Sequence, residues 1–326
     1  MKIYLSKSNN PYLNQALEYE LAKNNKGADK ILFLWLNKNA IIIGRNQNIF
    51  NEVNEMFVKE KEIKISRRYS GGGAVYHDLG NILFSNISQK DDTKSYEKFL
   101  EPIISFLRTL GINAKFQGRN DVLIDDMKIS GNAQFLLGDQ LVTHGTLLFD
   151  ADLSVLNKAL LSNKHKLKSK GIKSNRMRVT NIKEHLSSPM DSTEFINKLI
   201  EFFVENNEGE ILDIPTEIHE KALNLSQEIM KKEWIFNKSP SASLKNERKL
   251  PGGNISIFFD VIKGNIKNME IRGDFLSKKD ITEVGTLLEN QEYSRDTVEA
   301  ILENINLTDY LGTITQEEFI DLLMGE

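Results

Sequence analysis

The sequence predicts an α+β protein with two domains, a larger one over residues 1–243 and a smaller one over residues 249–326. Runs of strand length are interspersed irregularly with amphipathic helices, without the strict strand–helix alternation of a parallel α/β fold. The 326 residues, with ordinary apolar and charged fractions, are enough to bury two cores. A polar stretch from Pro240 to Gly253 is typical of a domain boundary. We therefore expect mixed, mainly antiparallel sheets with flanking helices in the first domain and a small α+β second domain.

The larger domain begins with an amphipathic helix that starts at Asn10-Pro11 and runs to Leu21. Apolar runs at 30–36 and 40–44 have the length of strands, and the polar tripeptide between them predicts a hairpin with a buried face. The further predicted elements are a helix over 52–62, a strand over 63–66, a helix over 96–110, strands over 114–116, 121–124, 128–130 and 145–149, and helices between 192 and 232. In the smaller domain, residues 254–259 and 266–271 are expected to form a hairpin, followed by three short helices.

The composition excludes several classes of function. The chain contains no cysteine, which excludes disulfides, thiolate metal sites and a cysteine nucleophile. Its formal net charge of -4 argues against a protein that binds nucleic acid as a whole. The N-terminus lacks the apolar core of a secretion signal, and no run approaches the roughly 18 apolar residues that span a bilayer. We therefore expect a cytoplasmic protein that binds neither nucleic acid nor membrane.

The segment from Arg67 to Asp78 places three consecutive glycines, residues 71–73, between two arginines and a His-Asp pair. Backbone N–H groups of glycines can turn toward a ligand, and guanidinium groups supply charge for a carboxylate or phosphate. A flexible turn is the alternative, but the strand-like residues 74–76 and 81–87 favour a loop at the edge of a sheet. The chain has neither a dinucleotide fingerprint nor a P-loop, so an anion here would be bound in another way.

Asp121 and Lys128 form a second candidate site, because a turn at 125–127 would place them on adjacent strands. An ammonium group there would neutralise charge that develops at an α-phosphate. The alternative is an exposed lysine at a hairpin. The basic segment 170–181 has the composition either of a loop that closes over a phosphate or of a solvated charged loop.

Together these motifs resemble the lipoate-protein ligase family, and the resemblance covers nearly the whole chain in order. The motifs that carry it are residues 67–81, 118–121, 128–131, 144–148 and 178–181. The resemblance implies a biotin/lipoate ligase-like fold and a two-step reaction. Lipoate and MgATP give lipoyl-adenylate and pyrophosphate, and a lysine of an acceptor lipoyl domain then takes the lipoyl group with release of AMP.

The resemblance also implies roles for individual residues. Lys128 would be the catalytic residue, in contact with both the carboxylate and the phosphate, and Asp121 would serve Mg²⁺. Nucleotide or adenylate contacts are implied for Arg68, Gly71, Gly72, Gly73, Ala74, Val75, Tyr76, Asn120, Asp121, Lys128, Arg178 and Thr180. Lipoate contacts are implied for Trp35, Arg68, Ser70, His77, Lys128 and His144, although Trp35 could equally be an ordinary core residue.

The implied acceptors are lipoyl-domain proteins, namely the E2 subunits of 2-oxoacid dehydrogenases and the H protein of glycine cleavage, and we expect a monomer. Two other functions stay open. One is a transferase that accepts preformed lipoyl-adenylate without the activation step. The other is a non-enzymatic sensor of lipoate or adenylate, which would not need Lys128 or the basic loop.

Overall fold

The computed structural model describes residues 1–27, 29–45, 47, 49, 52–90, 96–118, 120–160, 179–207, 209–236, 242–275 and 278–326. The chain divides into two compact units, Met1–Trp234 and Ile235–Glu326. The domain limits expected from the sequence, 1–243 and 249–326, stay a prediction. Within the described residues, no helix is long and apolar enough to cross a membrane.

The first unit contains a central sheet, a small second sheet and helices that cover them. Its strands are β1 (Lys2–Leu5), β2 (Ile31–Leu36), β3 (Ala40–Ile43), β4 (Lys64–Arg67), β5 (Val75–His77), β6 (Asn81–Gln89), β7 (Lys115–Gln117), β8 (Asp121–Ile124), β9 (Met127–Leu137), β10 (Gln140–Leu148) and β11 (Glu210–Ile211). The helices up to the division are α1 (Pro11–Asn24), α2 (Glu55–Glu60), α3 (Tyr96–Thr109), α4 (Leu153–Ala159), α5 (Ser192–Asn207), α6 (Thr216–Ile229) and α7 (Lys232–Ile235).

The central sheet has eight strands in the order β11-β1-β2-β6-β10-β9-β8-β7. β1 pairs in parallel with β2 and β11, whereas β2, β6, β10, β9, β8 and β7 pair antiparallel in turn. One core, with Phe84, Phe106 and Phe149 at its centre, packs α3 and α5 against the sheet. The α+β prediction with mixed, mainly antiparallel sheets is confirmed.

The predicted hairpin of residues 30–36 and 40–44 is wrong. β2 belongs to the central sheet, while β3 belongs to the small sheet, where it lies between β4 and β5. The chain changes sheet at residues 37–39, where Asn37 is buried and Asn39 takes a positive φ of 47°. Both runs are apolar on both faces, so periodicity alone could not tell a pair of partners from two central strands of different sheets.

The predicted first helix is confirmed as α1. Asn10 caps it, because its side-chain oxygen accepts a hydrogen bond from the Tyr12 N–H, and Pro11 stands at the first helical position. Leu13, Leu17 and Leu21 pack against the second face of the sheet. The helix also buries polar residues, namely Asn14, Gln15, Glu18 and Glu20. Buried polar residues of this kind are uncommon without a partner or a ligand, so they indicate a functional site beside α1.

Other predicted elements differ mainly in length. The helix expected over 52–62 is reduced to α2, because Asn54 caps it through a hydrogen bond to the Phe57 N–H. The strands expected at 128–130 and 145–149 are parts of the longer β9 and β10. Helix α3 matches its prediction closely.

The second unit pairs β12 (Ala242–Leu250), β13 (Gly253–Ile262) and β14 (Asn265–Gly273) as an antiparallel sheet. The predicted hairpin is confirmed as β13 and β14, and residues 242–250 of the polar stretch form the edge strand β12. Charged residues are common on edge strands because they discourage pairing with other chains, and this is why the segment resembles a linker. Within residues 278–326 the helices are α8 (Thr282–Leu288), α9 (Arg295–Leu302), α10 (Thr308–Leu311) and α11 (Gln316–Met324), one more than predicted.

Candidate active site

A cavity of about 200 Å³ opens between α1, the loop that contains Gly71, Gly72 and Gly73 (the glycine loop) and one face of the central sheet. Its floor follows a row of residues across the strands. Trp35 on β2 lies opposite Leu83 on β6, and Leu83 lies opposite Thr146 on β10. The Thr146 hydroxyl accepts a hydrogen bond from the N–H of Gly131 on β9, and Gly131 lies opposite Asp121 on β8. Since neighbouring strands are about 4.8 Å apart, Trp35 and Asp121 lie four strands or roughly 19 Å apart, at opposite ends of an elongated site.

Most of the residues singled out in the sequence meet at this cavity. Those that line it are Trp35, Arg68, Gly72, Gly73, Ala74, Val75, His77, Asn120, Lys128 and His144. Ser70 and Asp121 bind side chains that line it. Tyr76 and Thr180 direct their hydroxyl groups elsewhere, to Asn39 and to Glu184 with His185 respectively. Arg178 and residues 170–178 of the predicted basic segment lie outside the described residues.

The Arg68 side chain orients the backbone of the glycine loop through hydrogen bonds. Its guanidinium donates hydrogen bonds to the carbonyl oxygens of Ile42 (3.0 Å), Gly71 (2.6 Å) and Gly73 (2.8 Å), and its Nε donates to Ser70 Oγ (3.0 Å). A trans peptide points its C=O and N–H in opposite directions, so the N–H groups of Gly72 and Ala74 turn away from the guanidinium. Both of these residues line the cavity. The arginine thereby orients backbone donors as an anion site requires.

Arg67 holds the neighbouring loop in the same way. Its side chain is 1% exposed, and Nη1 donates to the carbonyl oxygens of Gly44, Arg45 and Gln47. Burial lowers the pKa of Arg67 and of Arg68 to about 10, which leaves both charged at neutral pH. The expectation that both guanidinium groups face a ligand therefore needs revision, because Arg67 belongs to the scaffold.

A chain of hydrogen bonds links α1, β10 and the glycine loop. Glu18 lies 2.9 Å from His144 Nδ1, and His144 Nε2 lies 2.6 Å from Ser70 Oγ. With Glu18 as a carboxylate, Nδ1 carries the proton and Nε2 accepts the Ser70 hydroxyl, which itself accepts from Arg68. Four side chains of three separate segments therefore hold one another in a single orientation.

Lys128 and Asp121 form an ion pair of 2.7 Å at the end of the cavity opposite Trp35, on adjacent strands as predicted. Gly131 leaves room for the lysine, because a Cβ there would lie 2.9 Å from Lys128 Nζ. The Thr180 N–H donates to the Lys128 carbonyl oxygen at 3.1 Å, which fixes the backbone at the lysine. The amine is about a third exposed and accessible from the cavity.

His77 is buried beside the far end of the cavity. Its Nδ1 lies 3.1 Å from Asn37 Nδ2, and Asn37 Oδ1 accepts a hydrogen bond from Asn14 Nδ2 at 2.9 Å. The orientation of the two amides makes Nδ1 an acceptor, so the neutral ring carries its proton on Nε2. Burial, the Arg68 charge and His144 lower the pKa of His77 to about 3.

Sequence reasoning missed several cavity-lining residues, among them Gln15, Glu18, Asn37 and Asn132. A signal was present for two of them. Gln15 and Glu18 adjoin Leu13, Leu17 and Leu21 on the buried side of α1, and a polar residue in that position is uncommon unless it has a partner or a ligand. Asn37 and Asn132 gave no comparable signal, because asparagine is ordinary in turns and at strand ends.

Comparison with known proteins identifies the family of the chain. The model of the lipoyl protein ligase A/B catalytic domain matches residues 10–204, and that of the bacterial lipoate protein ligase C-terminus matches residues 239–323. Lipoate-protein ligase LplJ of Bacillus subtilis (strain 168) is 40% identical over 324 residues, which cover 97% of each chain. The matches place the chain among the ligases that attach lipoyl groups to proteins. It belongs to the lipoate-protein ligase family.

Solved structures show the same fold. The bipartite lipoate protein ligase of Thermoplasma acidophilum, described with its E2 lipoyl domain, has a TM-score of 0.63 and 28% identity over 73% of this chain and 97% of its own. LipL1 of P. falciparum in complex with lipoate has a TM-score of 0.62 and 27% identity over 100% and 98%. Lipoate-protein ligase A bound with ATP has a TM-score of 0.59 and 26% identity over 72% and 95%.

Gly44 and Gly73 differ in how much room a side chain would have, and this difference can be tested. A Cβ at Gly44 would lie 2.0 Å from the Gly72 carbonyl oxygen, whereas a Cβ at Gly73 would meet nothing within 4 Å. We expect Gly44→Ala to destabilise the first unit by roughly 1–3 kcal/mol and Gly73→Ala to leave its melting temperature unchanged. Thermal unfolding followed by circular dichroism measures both. Equal melting temperatures for the two variants would contradict the loop contact.

His77 should make stability depend on pH. Its pKa is lower in the folded protein, about 3, than the ordinary value of 6.5, so the unfolded chain binds a proton first as the pH falls. The stabilisation is complete above about pH 6.5 and is lost progressively below it. Between pH 7.5 and 5.0 we expect the wild type to lose about 2 kcal/mol more of its free energy of unfolding than His77→Gln.

Urea unfolding of both proteins at the two pH values measures this difference. His219→Gln, at an exposed histidine of the same unit, is the matched control and should follow the wild type. An identical loss in wild type and His77→Gln would show that His77 is not held neutral.

Proposed function

We propose that the protein activates lipoate with MgATP to lipoyl-adenylate and then transfers the lipoyl group to a lysine of a lipoyl-domain protein. One observation carries the proposal. A single cavity is lined by an ion-paired lysine, by a loop whose backbone N–H groups are oriented by Arg68, and by a floor that leads past Leu83 to Trp35. Such a shape suits an aliphatic acid whose carboxylate must meet a phosphate.

The first step needs a carboxylate and an α-phosphate, both negatively charged, within bonding distance. The Lys128 ammonium group lies where it can contact both and offset the charge that develops as the carboxylate oxygen attacks phosphorus and pyrophosphate leaves. The N–H groups of Gly72 and Ala74, oriented by Arg68, supply further donors to the phosphate. Val75 and Asn120, which line the same end, complete the proposed nucleotide contacts.

Magnesium enters this reaction as part of the substrate MgATP. Within the described residues, no group of three or more His, Asp or Glu side chains is placed to hold a metal ion. This fits a cation held mainly by phosphate oxygens and water, with Asp121 as the one carboxylate proposed to reach it. Bound in that way, the ion would share the negative charge of the phosphates.

In the second step the acceptor amine attacks the carbonyl carbon of the mixed anhydride, and AMP leaves with the electrons of the broken C–O bond. No protein nucleophile is required, because the adenylate is already the activated acyl group. The acceptors proposed are lipoyl domains of E2 subunits and the H protein. The Thermoplasma ligase described with its E2 lipoyl domain supports an E2 lipoyl domain as acceptor.

An ATP–pyrophosphate exchange assay with lipoate, octanoate and biotin in parallel tests the proposal. Exchange with lipoate and none with biotin is expected. If lipoate supports neither exchange nor modification of an acceptor domain while synthetic lipoyl-adenylate supports modification, the protein is a transferase without the activation step. Binding of lipoate or lipoyl-adenylate without any transfer would instead identify a sensor.

Lys128→Ala should reduce pyrophosphate exchange by roughly a thousandfold or more, because the variant lacks the charge at the reacting phosphate. The control is Lys115→Ala, at an exposed lysine of β7, which should exchange like the wild type. Circular dichroism verifies that both variants are folded. Near-normal exchange by a folded Lys128→Ala protein would remove Lys128 from the catalytic step.

A further inference from the structure

The end of the cavity near Trp35 contains buried polar atoms that bind no other part of the protein. Within the described residues, the cavity-lining side chains with such atoms are Gln15 (Nε2 and Oε1), Trp35 (Nε1), His77 (Nε2) and Asn132 (Oδ1). Gln15, Trp35 and His77 are each 5% exposed. Buried polar groups are nearly always paired, so a cluster of unpaired ones lining a cavity points to a ligand that pairs with them.

Gln15, Trp35 and His77 line the same cavity, and Asn37 links the segments that carry them. Asn37 follows Trp35 by two residues and contacts His77, and it also accepts a hydrogen bond from Asn14, the residue before Gln15. Asn132 belongs to the other end, since it lies on β9 and exchanges hydrogen bonds with Asn120. The cluster of Gln15, Trp35 and His77 therefore comes from segments that Asn37 links to the end of β2, and Trp35 on β2 lies four strands from Asp121, the partner of Lys128.

The positions of the protons decide whether each side chain of the cluster donates or accepts a hydrogen bond. Trp35 Nε1 can only donate. His77 also donates toward the cavity, since the amides of Asn14 and Asn37 place its proton on Nε2. Gln15 offers two N–H donors on Nε2 and one acceptor, Oε1. These two atoms, Trp35 Nε1 and His77 Nε2 have no hydrogen-bond partner in the protein. The end of the cavity thus presents an excess of donors within otherwise apolar surroundings.

Gln15 stands out within its own helix. Asn14 on the same helix has four hydrogen-bonded neighbours, and Glu18 binds His144, whereas the amide of Gln15 is buried without a bond. An unpaired buried amide carries a desolvation penalty that a leucine of similar size would not. The Gln15 amide therefore destabilises the protein unless a ligand contacts it.

We propose that Gln15, supported by His77 and Trp35, is a specificity-determining residue that selects acids with hydrogen-bond acceptors at the far end of the chain over plain fatty acids. The inference rests on the proposed function and identifies the part of the acid that is recognised. Sulfur atoms of a dithiolane are weak acceptors that can approach the three donors. A terminal methyl group would displace water from the donors and pair with none of them, which penalises octanoate.

Calorimetric titration of three acids into three proteins tests this selection. The acids are lipoate, octanoate and 8-hydroxyoctanoate, whose terminal hydroxyl both accepts and donates. The proteins are the wild type, Gln15→Leu and Gln140→Leu. The last makes the same chemical change at a buried glutamine of β10 that does not line the cavity, where the side chain bonds Asn25. Pyrophosphate exchange is measured with the same acids.

We expect the wild type to bind lipoate and 8-hydroxyoctanoate about tenfold more tightly than octanoate. In Gln15→Leu this ratio should fall to about two or less, chiefly because octanoate binds more tightly, and the melting temperature should equal or exceed that of the wild type. Gln140→Leu should keep the wild-type ratio.

An unchanged ratio in folded Gln15→Leu, or equal binding of all three acids by the wild type, would overturn the inference. Absence of binding by every acid would also overturn it. If the acids bind with the expected ratios but none supports exchange, the inference on Gln15 holds and the activation step of the proposed function fails.

Discussion

The burial of two adjacent guanidinium groups is the constraint on which the rest of the site depends. Arg67 ends strand β4 and Arg68 follows it, and backbone carbonyl oxygens accept hydrogen bonds from both guanidinium groups. A carbonyl that turns toward a cation turns the next N–H group outward. The carbonyl oxygens of Gly71 and Gly73 are therefore engaged by Arg68, and the N–H groups of Gly72 and Ala74 point away from that guanidinium. Glycine is needed at Gly72, which has a φ of +93°, whereas Gly71 and Gly73 lie in open space.

The central sheet supplies the other dimension of the site. Antiparallel strands place Trp35, Leu83, Thr146 and Gly131 in one row, so the length of the cavity is set by strand spacing and not by loops. Helix α1 covers that row with polar side chains. The bond from Glu18 to His144 joins this cover to the sheet. Rigid elements on both sides of the cavity would favour precise placement of the carboxylate of an elongated acid bound there.

Local signals predicted the elements better than their partners. The capped helix α1 and the strands that bear Asp121 and Lys128 were predicted correctly, because capping residues and turns act over a few positions. The hairpin of residues 30–36 and 40–44 was wrong, because two fully buried runs carry no record of which sheet each joins. The strand β12 was read as a boundary, since a charged edge strand resembles a linker in composition.

The sequence by itself determined the family of this protein, through the triple glycine and the motif that contains Lys128. These features are visible because the residue types themselves carry the charge and the backbone freedom that the chemistry needs. Only the tertiary structure decided which groups face a ligand. It assigned Arg67 to the scaffold, joined Glu18 to His144 across 126 positions and brought Gln15 and His77 to the same cavity. The physical reason is that burial and hydrogen-bond partners arise from contacts between distant segments, and no local pattern records them.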